Sequence, residues 1–147
     1  MEDYPFLRNE MLWGEEAQRR LARAHVILFG LGGVGSYTAE CLARSGVGEL
    51  TLVDSDCVSV TNLNRQLEAL RSTVGQPKAE AVAARLRDIN PELTLHPVCE
   101  LYDAAHRDRF FPEDCRYDYI ADAIDLVSCK LDLAQTALRL NIPIAAA

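Results

Sequence analysis

The chain has 147 residues, of which 49% are hydrophobic and 25% charged, and its formal net charge is −7. That length and composition predict one globular domain with a single core, and the acidic balance argues against a dominant nucleic-acid-binding surface, because neutralising phosphates takes clustered Lys and Arg. No apolar run approaches the roughly 20 residues of a spanning helix, and residues 1–5 (MEDYP) lack the basic and apolar regions of a secretory signal.

In chain order, residues 14–24 (GEEAQRRLARA) read as a short helix, with Arg19, Arg20 and Arg23 on a solvated face. His25 to Phe29 (HVILF) is a continuous apolar run entering glycines, the pattern of a strand buried on both faces of a parallel sheet. Residues 33–45 are helical until Gly46 and Gly48 stop them. Glu49 to Val53 (ELTLV) is a second strand that ends at Asp54. Residues 55–74 are polar and weakly periodic, fitting turns or a short helix. From Pro77 a helical face of Ala79, Val82, Ala83, Leu86 and Ile89 is clear, and Asn90-Pro91 ends it. Residues 93–98 form a third strand, which Pro97 marks as an edge. A short helix over 104–110, a strand over 117–124 ending at Asp125, a helix over 127–140 and a strand over 142–147 complete the pattern. Alternating strands and helices predict a doubly wound, Rossmann-like α/β fold, with a mostly parallel sheet and helices on both faces. Residues 1–24 form a helical segment before a nucleotide-binding domain over 25–147. Five cysteines (Cys41, Cys57, Cys99, Cys115 and Cys129) include no CxxC pair and read as reduced cytoplasmic thiols, neither a disulfide framework nor a zinc site.

The run VILFGLGGVGS spaces Gly30, Gly32 and Gly35 as GxGxxG between a strand and a helix, with Gly33 adding a fourth glycine. The first glycine permits the tight turn, the second the approach of a phosphate, and the third close packing of helix on strand. The helix start then offers free N–H groups to an anion. Asp54, about 20 residues past the last glycine, is placed to bond a ribose hydroxyl.

Which nucleotide binds is a separate question. A nicotinamide-dependent oxidoreductase would need little more than these features, and a non-catalytic nucleotide-binding module is also compatible with them. The chain carries more. Asp56, Asn64, Arg65 and Gln66 follow Asp54 closely, Lys78 opens the next helix and Asp125 ends the fourth strand. Arg65 and Lys78 suit a triphosphate, and Asp125 suits Mg²⁺, which favours oxygen ligands. Each residue also has a bland reading: Asp125 as a helix cap, Lys78 as solvated, Arg65 as a partner of Glu68. Cys57 lies near these residues in sequence and reads as a buried packing thiol.

GLGGVGS, LVDSDCVSVTNLNRQ, GQPKAE and ADAID together resemble the ThiF/MoeB superfamily of adenylating enzymes, relatives of ubiquitin-activating enzymes. The D-x-D pair followed by N-x-N-R-Q is more specific than the glycine turn. RNEMLWGEEAQRRL, ECLARSGVGELTLVD, VSVTNLNRQLEAL, TVGQPKAE and RDINP are most similar to the branch that dehydrates threonylcarbamoyladenosine in tRNA, and the resemblance covers about residues 8–147. It implies ATP held by Gly30, Gly32, Gly33 and Gly35, its ribose by Asp54, and its phosphates by Asn64, Arg65 and Lys78. Gln66 would support them, Asp56 matches without a defined role, and Asp125 would position Mg²⁺. The catalytic set would be Arg65, Lys78 and Asp125. The reaction implied is attack of a carboxylate on the α-phosphorus of ATP. The partner would be tRNA carrying threonylcarbamoyladenosine or, alternatively, the C-terminus of a sulfur-carrier or ubiquitin-like protein. A homodimer is implied, in which Arg8 is lent to the partner's site. Relatives continue past the strand in which this chain stops, so a longer protein is expected.

Overall fold

The computed structural model describes residues 4–147; residues 1–3 of the expected helical segment lie outside it. That segment folds as two helices, α1 (Leu7–Trp13) and α2 (Glu15–Arg23), separated by Gly14 at φ 88°. Both are tied to the turn that follows α3 (Gly35–Ser45). Asn9 Nδ2 donates to Arg44 O and Gln18 Nε2 to Ser45 O, each at 3.0 Å, and Gly48 N donates to Leu21 O at 3.1 Å.

The strands are β1 (His25–Phe29), β2 (Glu49–Val53), β3 (Thr94–Val98), β4 (Tyr119–Asp122) and β5 (Ile144–Ala146). They form one sheet in the order β3-β2-β1-β4-β5, and every pairing is parallel. The remaining helices are α4 (Lys78–Ile89), α5 (Arg107–Phe110) and α6 (Val127–Leu140). The strand with Pro97 is an edge strand, as its sequence demands.

Strand alternation divides the core into two layers. Val26 and Leu28 of β1 pack with Ala39 and Ala43 of α3 and with Val82 and Leu86 of α4. Ile27 and Phe29 face the other way, toward Phe110, Cys129, Leu133 and Ala137 of α5 and α6. Burying one strand on both faces is what makes HVILF continuously apolar.

Several boundaries are tighter than the sequence predicts, and local hydrogen bonds explain them. The fourth strand ends at Asp122 because that residue's carboxylate accepts from Ile124 N at 3.0 Å, turning the chain. The 104–110 helix shrinks to α5 because Asp103 takes His106 N at 2.9 Å and holds a turn ahead of it. Residues 55–74 hold a single 3₁₀ turn, Val60–Asn62, whose Ser59 and Asn62 cap each other reciprocally. Among the described residues, no helix is long and apolar enough to cross a membrane.

Phe29 anchors the aromatic side of the core. Its ring centroid lies 4.7 Å from that of Tyr102, 5.7 Å from Phe110 and 5.8 Å from Phe111. Phe29→Ala should therefore lower stability by about 4 kcal/mol in urea denaturation followed by circular dichroism; a loss under about 1 kcal/mol would mean that the cluster repacks.

Candidate functional site

Strand order reverses between β1 and β4, and the carboxyl ends of β1, β2 and β4 open onto one cleft of about 620 Å³. This is where an open parallel sheet binds ligands. The four glycines after β1 fall into two kinds. Gly30 has φ 85°, and a β-carbon there would sit 2.6 Å from Ala123 O. A β-carbon on Gly35 would sit 1.8 Å from Gly30 O. The backbone itself forbids side chains at these two positions. Gly32 and Gly33 are different: neither has positive φ, and an added β-carbon would meet only the side chains of Gln66 and Arg65 at 3.6 Å, ordinary contact. Packing does not require glycine there. Both line the cleft, so their bareness leaves room for a ligand to approach the backbone. α3 then begins with no side-chain cap; Ser36 N donates to Gly32 O at 3.0 Å, and the Gly35 and Tyr37 amides of the first turn are left for an anion.

Asp54 lies at the end of β2, as expected. One carboxylate oxygen accepts from Leu31 N at 2.7 Å and the other from Asp56 N at 2.8 Å, so the side chain is fixed while each oxygen keeps a further lone pair. Lys78, at the start of α4, is buried rather than solvated and pairs with the exposed Asp56 carboxylate at 3.2 Å. Arg65 is exposed and lies over Gly33; its Nη1 donates to Thr61 O at 3.1 Å and to Asn64 Oδ1 at 2.8 Å, not to Glu68. Asp125 is exposed at the cleft wall and does not cap α6, which has no side-chain cap. Gly30, Gly32, Gly33, Asp54, Asp56, Arg65, Gln66, Lys78 and Asp125 thus share one cleft.

Two expected residues are not on its lining. Gly35 is buried behind the turn and acts by letting α3 approach. Asn64 points to solvent and reaches the site only through Arg65, while Asn62 is buried and lines the cleft. Cys57 is exposed, contrary to its reading as a buried thiol, because it lies in an isolated bridge to Pro77 at the surface.

Sequence reasoning missed a second polar layer. Tyr102 lines the cleft and donates its hydroxyl to Asp132 Oδ2 at 2.5 Å. Arg107 bonds both oxygens of Asp132 and holds its carboxyl below the ordinary range. Burial and the bond to Asp132 push the Tyr102 phenol well above its usual value, so it remains a neutral donor. Among the described residues, neither carboxylate oxygen of the buried Glu68 has a hydrogen-bond partner. Burial pushes that carboxyl up; the Lys78 charge opposes the shift and Asp54 adds to it. No spacing rule flags Tyr102, Asp132 or Glu68, because they meet only through the tertiary fold.

The ThiF family model matches residues 6–147. The tRNA threonylcarbamoyladenosine dehydratase of Bacillus subtilis (strain 168) is 45% identical over 141 residues, covering 96% of this chain and 55% of that protein. The molybdopterin-synthase adenylyltransferase of Escherichia coli (strain K12) is 36% identical over 129 residues, covering 88% of this chain and 51% of its own length. The crystal structure of the E. coli tRNA N6-threonylcarbamoyladenosine dehydratase in complex with ATP superposes with a TM-score of 0.92 at 42% identity, covering 97% of this chain and 58% of that one. The chain therefore spans about half the length of the relatives it matches.

The raised carboxyl of Glu68 sets a pH dependence. Between the ordinary carboxylate range and its raised value, the folded chain binds more protons at this site than the unfolded chain, so stability falls as pH rises through that window. Glu68→Gln should melt higher than the unsubstituted chain near neutral pH, and the difference should vanish on acidification. Thermal melts across the acidic to neutral range check this; a neutral-pH melting temperature lower in the variant would show that the ionised carboxylate is stabilising.

Proposed function

This chain belongs to the ThiF family, and on that premise we propose that it binds ATP in the cleft and adenylates a carboxylate, that of threonylcarbamoyladenosine in tRNA. The observation that carries this reading is the convergence of Arg65, Lys78 and Asp125 on a cleft floored by the bare backbone of Gly32 and Gly33. Two cations and an acid are more than hydride transfer requires, and they match what a triphosphate requires. The 45% identity to a tRNA-acting relative, against 36% to one named for molybdopterin synthase, supports the substrate.

The uncapped start of α3 and the glycine turn take the phosphates. Asp54, already oriented by two amides, accepts the ribose hydroxyls with its remaining lone pairs. Arg65 and Lys78 stabilise charge that grows on the α-phosphate and on the departing pyrophosphate. Asn64 steadies Arg65, Asp56 holds Lys78 in place, and Gln66 and Asn62 line the floor. Asp125 offers carboxylate oxygens to Mg²⁺, which when bound would neutralise phosphate charge. A carboxylate oxygen attacks the α-phosphorus, the bond to pyrophosphate breaks, and an acyl-adenylate results. Ring closure within the modification then displaces AMP, and the base has lost the elements of water overall. Positioning and charge stabilisation supply the catalysis. Arg8, exposed on α1, is absent from its own chain's cleft lining, in keeping with a residue lent to the partner's site in a homodimer. We place the reaction in the cytoplasm.

ATP–pyrophosphate exchange with the purified protein tests this reading. Exchange should depend on Mg²⁺ and on tRNA carrying threonylcarbamoyladenosine, and Arg65→Ala and Asp125→Ala should each reduce it by about 100-fold or more while far-ultraviolet circular dichroism stays unchanged. Exchange supported only by a sulfur-carrier protein would reassign the substrate. Tighter binding of NAD than of ATP in calorimetry would overturn adenylation altogether.

A further inference from the structure

The opposite, amino end of the sheet carries a second cluster that the ATP cleft does not use. His25 opens β1, Glu49 opens β2 beside it in register, and His96 lies on β3 opposite Thr51 of β2. Alternation puts all four side chains on the sheet face that Ile27, Phe29 and Val53 fill with apolar groups further along. His96 Nε2 lies 2.6 Å from Glu49 Oε1, and His25 Nδ1 lies 3.6 Å from the same oxygen. One ligand atom from each of His25, Glu49 and His96 falls within 4.8 Å of the others.

We propose that His25, Glu49 and His96 bind a zinc-class divalent cation. Two imidazoles and one carboxylate are a three-ligand zinc set, with water completing the tetrahedron. Ligand atoms on such an ion stand about 3.4 Å apart, so the 2.6 Å hydrogen bond from His96 Nε2 to Glu49 Oε1 opens by about 0.8 Å and the ring changes tautomer when the ion binds, a movement that the exposed side chain of His96 can make. His25 Nε2 lies 2.9 Å from the hydroxyl of the buried Thr51. With that nitrogen donating to Thr51, as the outer nitrogen of a metal-bound histidine does, Nδ1 turns a lone pair toward the carboxylate. Two lone pairs facing each other repel, and a cation between them resolves the contact. Tyr117 packs edge-on against the His25 ring, centroids 4.8 Å apart, and holds its orientation. The ion would clasp β1, β2 and β3 together.

The test is zinc titration of the metal-stripped protein against a chromogenic chelator, alongside His96→Ala and Thr51→Val. Circular dichroism confirms that each variant is folded. The expected result is one zinc per chain, an affinity at least tenfold weaker in Thr51→Val, loss of binding in His96→Ala, and a zinc-dependent rise in melting temperature confined to chains that bind. Cobalt substitution separates this site from the five cysteines, since imidazole and carboxylate ligation gives visible bands without thiolate charge transfer. Equal zinc binding by the unsubstituted chain and His96→Ala, strong thiolate bands, or no binding at all would each overturn the proposal.

Discussion

The cleft depends on how closely α3 approaches the end of β1. The Gly30 carbonyl oxygen stands 1.8 Å from where a residue with a side chain would place its β-carbon at position 35. Helix and strand touch through bare backbone, and that contact aims the start of α3 at the crevice between β1 and β4. On the other side, Gly30 presses on Ala123, so the same turn also sets the spacing to the segment after β4 that leads to Asp125. One steric constraint thus positions three of the cleft's walls. The side chains that line it add chemistry to a frame the backbone has already built.

Electrostatics shape the site against the trend of the whole molecule. The chain is net acidic, yet the groups facing the glycine floor include Arg65 and Lys78. Lys78 is buried and held by Asp56, whereas Arg65 is exposed and held by Thr61 and Asn64. One cation is fixed by burial and the other by local hydrogen bonds, so both are pre-oriented, and little ordering remains when a polyanion arrives. The Tyr102–Asp132–Arg107 layer stiffens the facing wall in the same manner, with each polar group satisfied by another.

Much of this was legible in the sequence because it is local. The continuous apolar run HVILF gave β1, the helical face from Ala79 to Ile89 gave α4, and Pro97 gave the edge. Asp54 and Asp125 could be placed because strand ends converge in any parallel sheet. The rest required tertiary information. Asn62 and Asn64 are two residues apart in a polar stretch without clear periodicity, and only the 3₁₀ turn decides which of them faces inward. Glu68 reads as an ordinary surface acid until the packing of neighbouring segments closes over it. The exposure of Cys57 likewise follows from a single bridge to Pro77 that no pattern announces.

The reversal of strand order between β1 and β4 also bears on when the site comes into being. β1, β2 and β3 lie in one contiguous stretch and pair with their nearest neighbours in sequence. β4 must return to the far side of β1, and His25 N meets the Asp118 carboxylate across 93 residues of chain. Closing that long loop has an entropic cost that contacts repay only once β4 has docked. On a ribosome, β1 and β2 emerge long before β4, so the nascent chain carries half a crevice until residues 119–122 have been made. A ligand of the cleft can stabilise only a sheet in which β4 has docked, which would tie its occupancy to that long-range step of folding.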